Sequence, residues 1–137
     1  MGRDGSPAPE GGTSILLDAT PAAPARARGA VTRWGEAVGL DDTLLLDLRL
    51  LVTELVTNAV RHAHLAPRDE IELGVEYAGE RVRVRVRDAG AGFDDYLPIP
   101  SRDDISGRGL YLVHQVASAW GIEPGPPFGI WFELGRD

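Results

Sequence analysis

The chain has 137 residues, which suits a single domain, and its 43% hydrophobic and 26% charged residues are typical of a globular protein. No apolar run is long enough for a transmembrane helix, and a net charge of −7 argues against direct nucleic-acid binding, because phosphate contacts need excess positive charge. The absence of cysteine and lysine excludes disulfides, thiolate metal sites and a P-loop. The N-terminal residues are not typical of a secretion signal, so we expect a cytoplasmic protein without membrane attachment.

The first elements follow from turn residues and apolar spacing. Residues 1–11 are rich in Gly, Pro and charge and predict a disordered tail, followed by one domain over residues 12–137. Residues 13–19 predict a strand, and residues 22–38 predict a helix that Gly39 ends. The expected core contacts of this helix are Ala25, Val31, Trp34 and Val38.

A second helix is predicted from the Asp-Asp pair at 41–42, which supplies an N-cap, to about residue 65. Apolar residues at 51, 52, 55, 56, 59 and 60 form its core-facing stripe. Glu54, Asn58 and His62 recur every four residues, so they lie on one helix face, beside Arg61. Such a stripe is usually solvated, but an amide oxygen and a carboxylate one turn apart can also bind a hard cation, or combine a metal ligand with a general base.

Residues 70–88 alternate strictly between apolar and polar side chains and predict a β-hairpin with a glycine-containing turn at 78–80. Its inward residues are those at 71, 73, 75, 82, 84 and 86. Arginines at 81, 83, 85 and 87 occupy the opposite face. This arginine ladder could bind anions, but we favour a solvated face on which the arginines pair with Glu70, Glu72 and Glu76 across the hairpin.

The C-terminal third begins with an irregular segment of twenty residues, 89–108, a length that is usually functional. A third helix is predicted over 109–120, and a last strand around 130–134. The element order predicts an α+β fold, a two-layer α/β sandwich whose mostly antiparallel sheet is covered on one face by about three helices.

Two glycine motifs flank the irregular segment. Asp88 leaves the hairpin and is followed by Gly90 and Gly92, and Gly107 and Gly109 precede the third helix. An aspartate can accept a hydrogen bond from an amine, and Gly-x-Gly before a helix exposes N–H groups that favour an anion. Either motif alone is weak evidence, because Asp-Gly turns and glycines at helix starts are common.

Together, in this order and spacing, the three motifs resemble those of the GHKL ATPases, which share the Bergerat fold. The stretch ELVTNAVRHA resembles the N box, DAGAGF the G1 box and GRGLYLV the G2 box, and the resemblance covers about residues 13–135. Within the family, the chain is most similar to the small stand-alone anti-sigma-factor serine/threonine kinases of actinobacterial type.

The resemblance implies that Asn58 ligates Mg²⁺, that Glu54 is the general base, and that Asp88 binds the adenine amino group of ATP. It also implies an ATP lid over about residues 93–106. The other implied nucleotide contacts are Arg61, His62, Gly90, Gly92, Arg102, Gly107, Arg108, Gly109 and Leu110. Where the family often has Gly-Thr before the last strand, this sequence has Gly129–Ile130, which lacks the hydroxyl.

The leading hypothesis from the resemblance is a protein serine/threonine kinase that uses ATP and Mg²⁺ to phosphorylate an anti-anti-sigma protein. Such a protein would also bind a sigma factor, release ADP and be able to form a homodimer. One alternative is a non-catalytic, nucleotide-gated protein-binding module in which Glu54 is structural. Another is a detached histidine-kinase ATP domain, for which the sequence contains no phosphoacceptor helix bundle.

Overall fold

The structure is a computed structural model that describes residues 11–62, 69–78, 80–88, 110–123 and 129–135. It confirms the predicted α+β class. The described helices are α1 (Ala23–Val38), α2 (Asp42–His62) and α3 (Leu110–Val116). The described strands are β1 (Gly11–Asp18), β2 (Glu70–Ala78), β3 (Arg81–Asp88), β4 (Ala119–Glu123) and β5 (Gly129–Gly135).

The strands form one five-stranded sheet in the order β1-β2-β3-β5-β4, and every neighbouring pair is antiparallel. Because side chains alternate along each strand, one face of the sheet is apolar and packs against the helices. The six apolar hairpin residues predicted to face inward are all buried. Phe132 of β5, which lies opposite Val84 of β3, is fully buried at the centre of this core.

Both long helices begin or end as the sequence predicts. Gly39 adopts a left-handed conformation (φ 81°) and ends α1. The N–H of Leu44 donates a hydrogen bond of 2.8 Å to Asp41 Oδ1, so Asp41 caps the first turn of α2. The apolar stripe of α2 is buried from residue 51 to residue 59, and Val60 at its end is half-buried.

The prediction for α1 is partly wrong. Ala25 is exposed, while Ala23 and Ala27 are buried, so the inward face follows the four-residue repeat that leads to Val31 and does not include Ala25. Val31 is buried as expected, and Trp34 and Val38 are half-buried against the core.

Two predicted boundaries also change. The third helix was predicted to reach residue 120, but α3 ends at Val116 and β4 begins at Ala119. Strand β1 begins at Gly11, which the predicted tail included. The rest of that tail and the predicted lid over 93–106 lie outside the described residues. Within the described part of the chain, no helix combines the length and hydrophobicity of a membrane span.

The arginine ladder is paired with carboxylates, as favoured, but mostly with different ones. Arg81 Nη1 and Arg83 Nη1 lie 3.1 and 3.4 Å from the carboxylate of Glu133 on β5. Arg85 Nε lies 3.1 Å from Glu123 on β4, and among the predicted cross-hairpin pairs only Arg87 with Glu72, at 3.2 Å, is found in the described residues. The reason is that β3 is the central strand, so its arginines also face β5.

Candidate functional site

Asn58 lies in α2 and is the one polar side chain that is buried among the described residues, with 3% of its surface exposed. Its Oδ1 has no hydrogen-bond partner in the described structure. An unsatisfied buried acceptor destabilises a fold by about 1–3 kcal/mol, so such groups are rare and usually serve a function. Among the described residues, the Oδ1 of Asn58 is therefore free to accept a contact from a ligand.

Glu54 lies one helical turn before Asn58 and is half-buried, so its carboxylate is at the boundary between core and solvent. Arg61, one turn further along, is exposed. Burial thus differs along the predicted polar stripe, since Asn58 is buried, Glu54 is half-buried and Arg61 is exposed. His62 is the last residue of α2, and its side chain lies outside the described residues.

The residues that line a groove of about 450 Å³ at one end of the molecule show which ends of the main elements lie together. It is lined by Thr43 and Asp47 near the start of α2, by Glu80 just before β3, and by Val116 at the end of α3. Helix α2 and strand β3 therefore begin at this end and run toward the opposite one. Helix α3 runs the other way, so its first residue points toward that opposite end.

The lengths of α2 and β3 place two of the three sequence motifs far from the groove. Asn58 lies fifteen residues after Thr43, or about 22 Å along a helix. Asp88 closes β3, about 26 Å from Glu80 along an extended strand. Leu110 begins α3 directly after Gly109, at the end of that helix away from the groove. The N box and the end of β3 thus lie away from the groove, and α3, which is seven residues or about 10 Å long, begins at its end away from the groove.

The remaining predicted site residues lie partly or wholly outside the described residues. The backbone of Asp88 pairs with Ile71 at the end of β3, while the side chains of Asp88 and Leu110 lie outside the described residues. Ile130, which replaces the family's threonine, is 4% exposed and packs on the apolar face of β5. The predicted residues that lie wholly outside the described part are Gly90, Gly92, Arg102, Gly107, Arg108 and Gly109.

Asn58 fits Mg²⁺ as a ligand because its free amide oxygen is a hard donor. Magnesium in nucleotide sites is usually held by one or two protein oxygens together with phosphates and waters. No cluster of three or more His, Cys, Asp or Glu side chains suited to a metal occurs among the described residues. The donor set of the described site therefore suits a cation that arrives with phosphates rather than one enclosed by protein.

The family model described as "Histidine kinase-like ATPase domain" matches residues 17–126, which is most of the chain. The chain belongs to this family. The match confirms the GHKL assignment made from the three motifs, and it spans α1, the N-box helix, the hairpin, α3 and β4.

Relatives within the histidine kinase-like ATPase family include proteins named serine-protein kinase RsbW. The one from Listeria monocytogenes is 29% identical over 113 residues, which cover 73% of this chain and 71% of the relative. The one from Bacillus licheniformis is 35% identical over 80 residues, 49% of this chain and 50% of the relative.

A solved structure shares the fold. It contains the RsbU and RsbW domains of Rv1364c from Mycobacterium tuberculosis, and it matches 91% of this chain with a TM-score of 0.72 and 23% identity. This chain spans only 32% of that longer chain. The fold of this chain is therefore also found in an experimental structure.

The sequence analysis missed the burial of Asn58. Residue 58 lies three positions after Leu55 and next to Ala59, both of which are buried, so it borders the apolar stripe of α2. This position at the edge of the stripe was the available signal that the amide belongs to the core side of the helix.

Proposed function

We propose that this histidine kinase-like ATPase domain binds ATP with Mg²⁺ and transfers the γ-phosphoryl group to a serine or threonine of a partner protein. The observation that carries the proposal is the buried, unpartnered Oδ1 of Asn58, with the half-buried carboxylate of Glu54 one turn before it. The family and the names of the relatives support the same chemistry.

In this proposal the chain's own residues position the reactants and move one proton. Asn58 would hold Mg²⁺, which when bound neutralises charge on the phosphates. Asp88, at the end of β3, would bind the adenine amino group, and the backbone before α3 would contact phosphate. Phosphoryl transfer needs mainly such positioning.

Glu54 would act as the general base. Its carboxylate accepts the proton of the acceptor hydroxyl while the hydroxyl oxygen forms a bond to the γ-phosphorus. The bond from the γ-phosphorus to the bridging oxygen breaks, and ADP leaves. Half-burial suits this role, because the carboxylate is held by the helix yet remains within reach of a partner in solvent.

We further propose that the partner is an anti-anti-sigma protein, that the chain also binds a sigma factor, and that this exchange regulates transcription in the cytoplasm. The support is the likeness of the three motifs to the anti-sigma-factor kinases and the relatives named serine-protein kinase RsbW. Homodimer formation belongs to the same proposal.

Calorimetric titration with ATP and ADP, each with and without Mg²⁺, tests nucleotide binding. Asp88→Asn is expected to abolish binding, and Asn58→Ala to remove its dependence on Mg²⁺. Leu46→Ala, an exposed site on the same helix, serves as the control that leaves nucleotide binding intact. No binding at millimolar nucleotide would overturn the proposal.

Transfer of labelled phosphate from ATP to purified candidate anti-anti-sigma proteins tests the kinase step. Glu54→Gln keeps the size of the side chain and removes the base, so it should slow transfer about 10²–10⁴-fold without weakening ATP binding. If Glu54→Gln transfers phosphate at the wild-type rate, Glu54 is not the base. If the wild-type chain transfers no phosphate and Glu54→Gln leaves partner exchange unchanged, the non-catalytic binding module replaces the kinase.

A further inference from the structure

The groove used above to orient the elements lies at the end of the molecule away from the proposed nucleotide site. We call it the distal groove. Three partly exposed apolar side chains contribute to its surface, Leu44 on α2, Tyr77 on β2 and Val116 on α3. It has a volume of about 450 Å³, which is enough to accept side chains of a protein ligand.

The charged residues that line the distal groove in the described structure are all acidic. Asp41, Asp47 and Glu80 contribute to its walls, and no basic residue lines it among the described residues. Asp41 Oδ1 accepts the capping hydrogen bond at the start of α2. Asp47 and Glu80 have no ion-pair partner in the described part of the chain, in contrast to the paired carboxylates of the sheet face.

An exposed apolar strip continues from the distal groove along α2. Leu46 and Leu50 are 64% and 40% exposed, and they are two of the three large hydrophobic side chains that are exposed in the described structure. They lie three residues after Thr43 and Asp47, which line the groove, so they are neighbours of those residues on the helix surface. The groove and the two leucines thus form one continuous surface.

We propose that this surface, the distal groove with Leu46 and Leu50, binds a basic amphipathic helix of a partner protein. The apolar side chains of such a helix would pack on the two leucines and the floor of the groove, and its Lys or Arg residues would face Asp47 and Glu80. The stretch from Thr43 to Leu50 is about 10 Å long, which matches two turns of a helix lying against α2. This inference rests on the partner-binding part of the proposed function and not on ATP binding or phosphoryl transfer.

Fluorescence anisotropy with a labelled probe peptide tests the proposal on the full chain. The probe is a leucine-lysine peptide of about 18 residues, or five turns, with all leucines on one helical face. One comparison peptide has the same composition in scrambled order, and another has glutamate in place of lysine. The wild-type chain should bind the first peptide at least about tenfold more tightly than either comparison peptide, with an affinity that falls as salt rises.

Matched double variants locate the binding surface. Asp47→Asn with Glu80→Gln should weaken binding of the leucine-lysine peptide about tenfold, and Leu46→Ala with Leu50→Ala should weaken it by a similar factor. Asp18→Asn with Glu70→Gln removes the same charge at the opposite end of the sheet and should change affinity less than about twofold. Equal weakening by the two charge variants would overturn the proposal, since it would indicate attraction to the overall negative charge.

ATP titration of the same proteins separates this inference from the proposed function. If the chain binds ATP but prefers none of the three peptides, only the proposal for the distal groove is contradicted. A chain that binds the leucine-lysine peptide through the groove but does not bind ATP contradicts the nucleotide proposal alone.

Discussion

Replacing Asn58 by leucine should stabilise the fold while removing the Mg²⁺ dependence of nucleotide binding. Asn58 is buried in α2, and its Oδ1 has no hydrogen-bond partner among the described residues. Leucine has the same number of side-chain heavy atoms as asparagine and the same branching at Cγ, and it has no polar atom, although its two methyl groups are bulkier. The substitution therefore removes a desolvated acceptor without opening a cavity.

The size of the gain follows from two opposing terms. An unsatisfied buried polar group destabilises by about 1–3 kcal/mol, and the bulkier methyl groups of leucine cost about 1 kcal/mol of repacking. The net expectation is a gain of about 1 kcal/mol, which for a domain of this size raises the melting temperature by about 4 °C. Asn58→Ala removes the same acceptor but leaves a small cavity, so it should give little or no gain.

Urea denaturation followed by tryptophan fluorescence measures the stability of each variant, and calorimetry measures binding of ATP with and without Mg²⁺. Asn58→Asp is the informative control, because it keeps an oxygen ligand but buries a charge. It should lower stability in the absence of nucleotide and retain Mg²⁺-dependent binding.

Two results would refute this reasoning. If Asn58→Leu loses more than about 1 kcal/mol of stability, the amide makes stabilising contacts and Oδ1 is not an orphan. If Asn58→Leu binds ATP with an unchanged Mg²⁺ dependence, Asn58 is not the metal ligand, whatever its stability.

Further predictions concern the fold. Phe132→Ala, at a fully buried site in β5, should cost about 3–5 kcal/mol in urea denaturation, and a loss below 1 kcal/mol would contradict its central place in the core. Asp41→Ala removes the cap of α2 and should cost about 1 kcal/mol, seen as a lower urea midpoint with an unchanged slope. Gly121→Ala would place a Cβ 2.7 Å from Trp131 Nε1 and should destabilise the fold by about 1–3 kcal/mol in thermal denaturation. Gly74→Ala is the control, because its Cβ would lie 4.0 Å from the nearest atom, and it should be neutral or slightly stabilising in the same experiment.

The long helix and the hairpin were predictable because their patterns are local and repeated. The apolar stripe of α2 recurs over two and a half turns, and the period of two in β2 and β3 continues through both strands. In each case burial on one side is the main stabilising term, so the sequence pattern and the structure agree. The cap at Asp41 and the left-handed Gly39 follow equally from local chemistry.

The errors arise where distant parts of the chain decide the structure. Ala119 and Trp120 are compatible with a helix, but they pair with Glu133 and Phe132 of β5, and this pairing makes them a strand. Arg83 was expected to pair within its hairpin. It instead pairs with Glu133, fifty residues away, and its guanidinium lies 4.5 Å from the centre of the Trp131 ring. No local pattern contains the strand order that brings these residues together.

Within α2, the candidate site contains both a feature that the local sequence predicts and one that depends on packing against distant parts of the chain. In the sequence, Asp47, Leu50, Glu54 and Asn58 follow one another at three- and four-residue spacing, as a single surface stripe would. In the structure the stripe divides, since Leu50 is exposed, Glu54 is half-buried and Asn58 is inside the core. Periodicity cannot separate them because Asn58 lies only about 40° around the helix from Glu54. What places the amide inside is the packing of α2 against α3 and the sheet, which the sequence of α2 does not contain. The same helix therefore carries a buried oxygen without a hydrogen-bond partner near its C-terminal end and exposed leucines near its N-terminal end. Because the two features are about two turns apart, either one can be substituted while the other is kept.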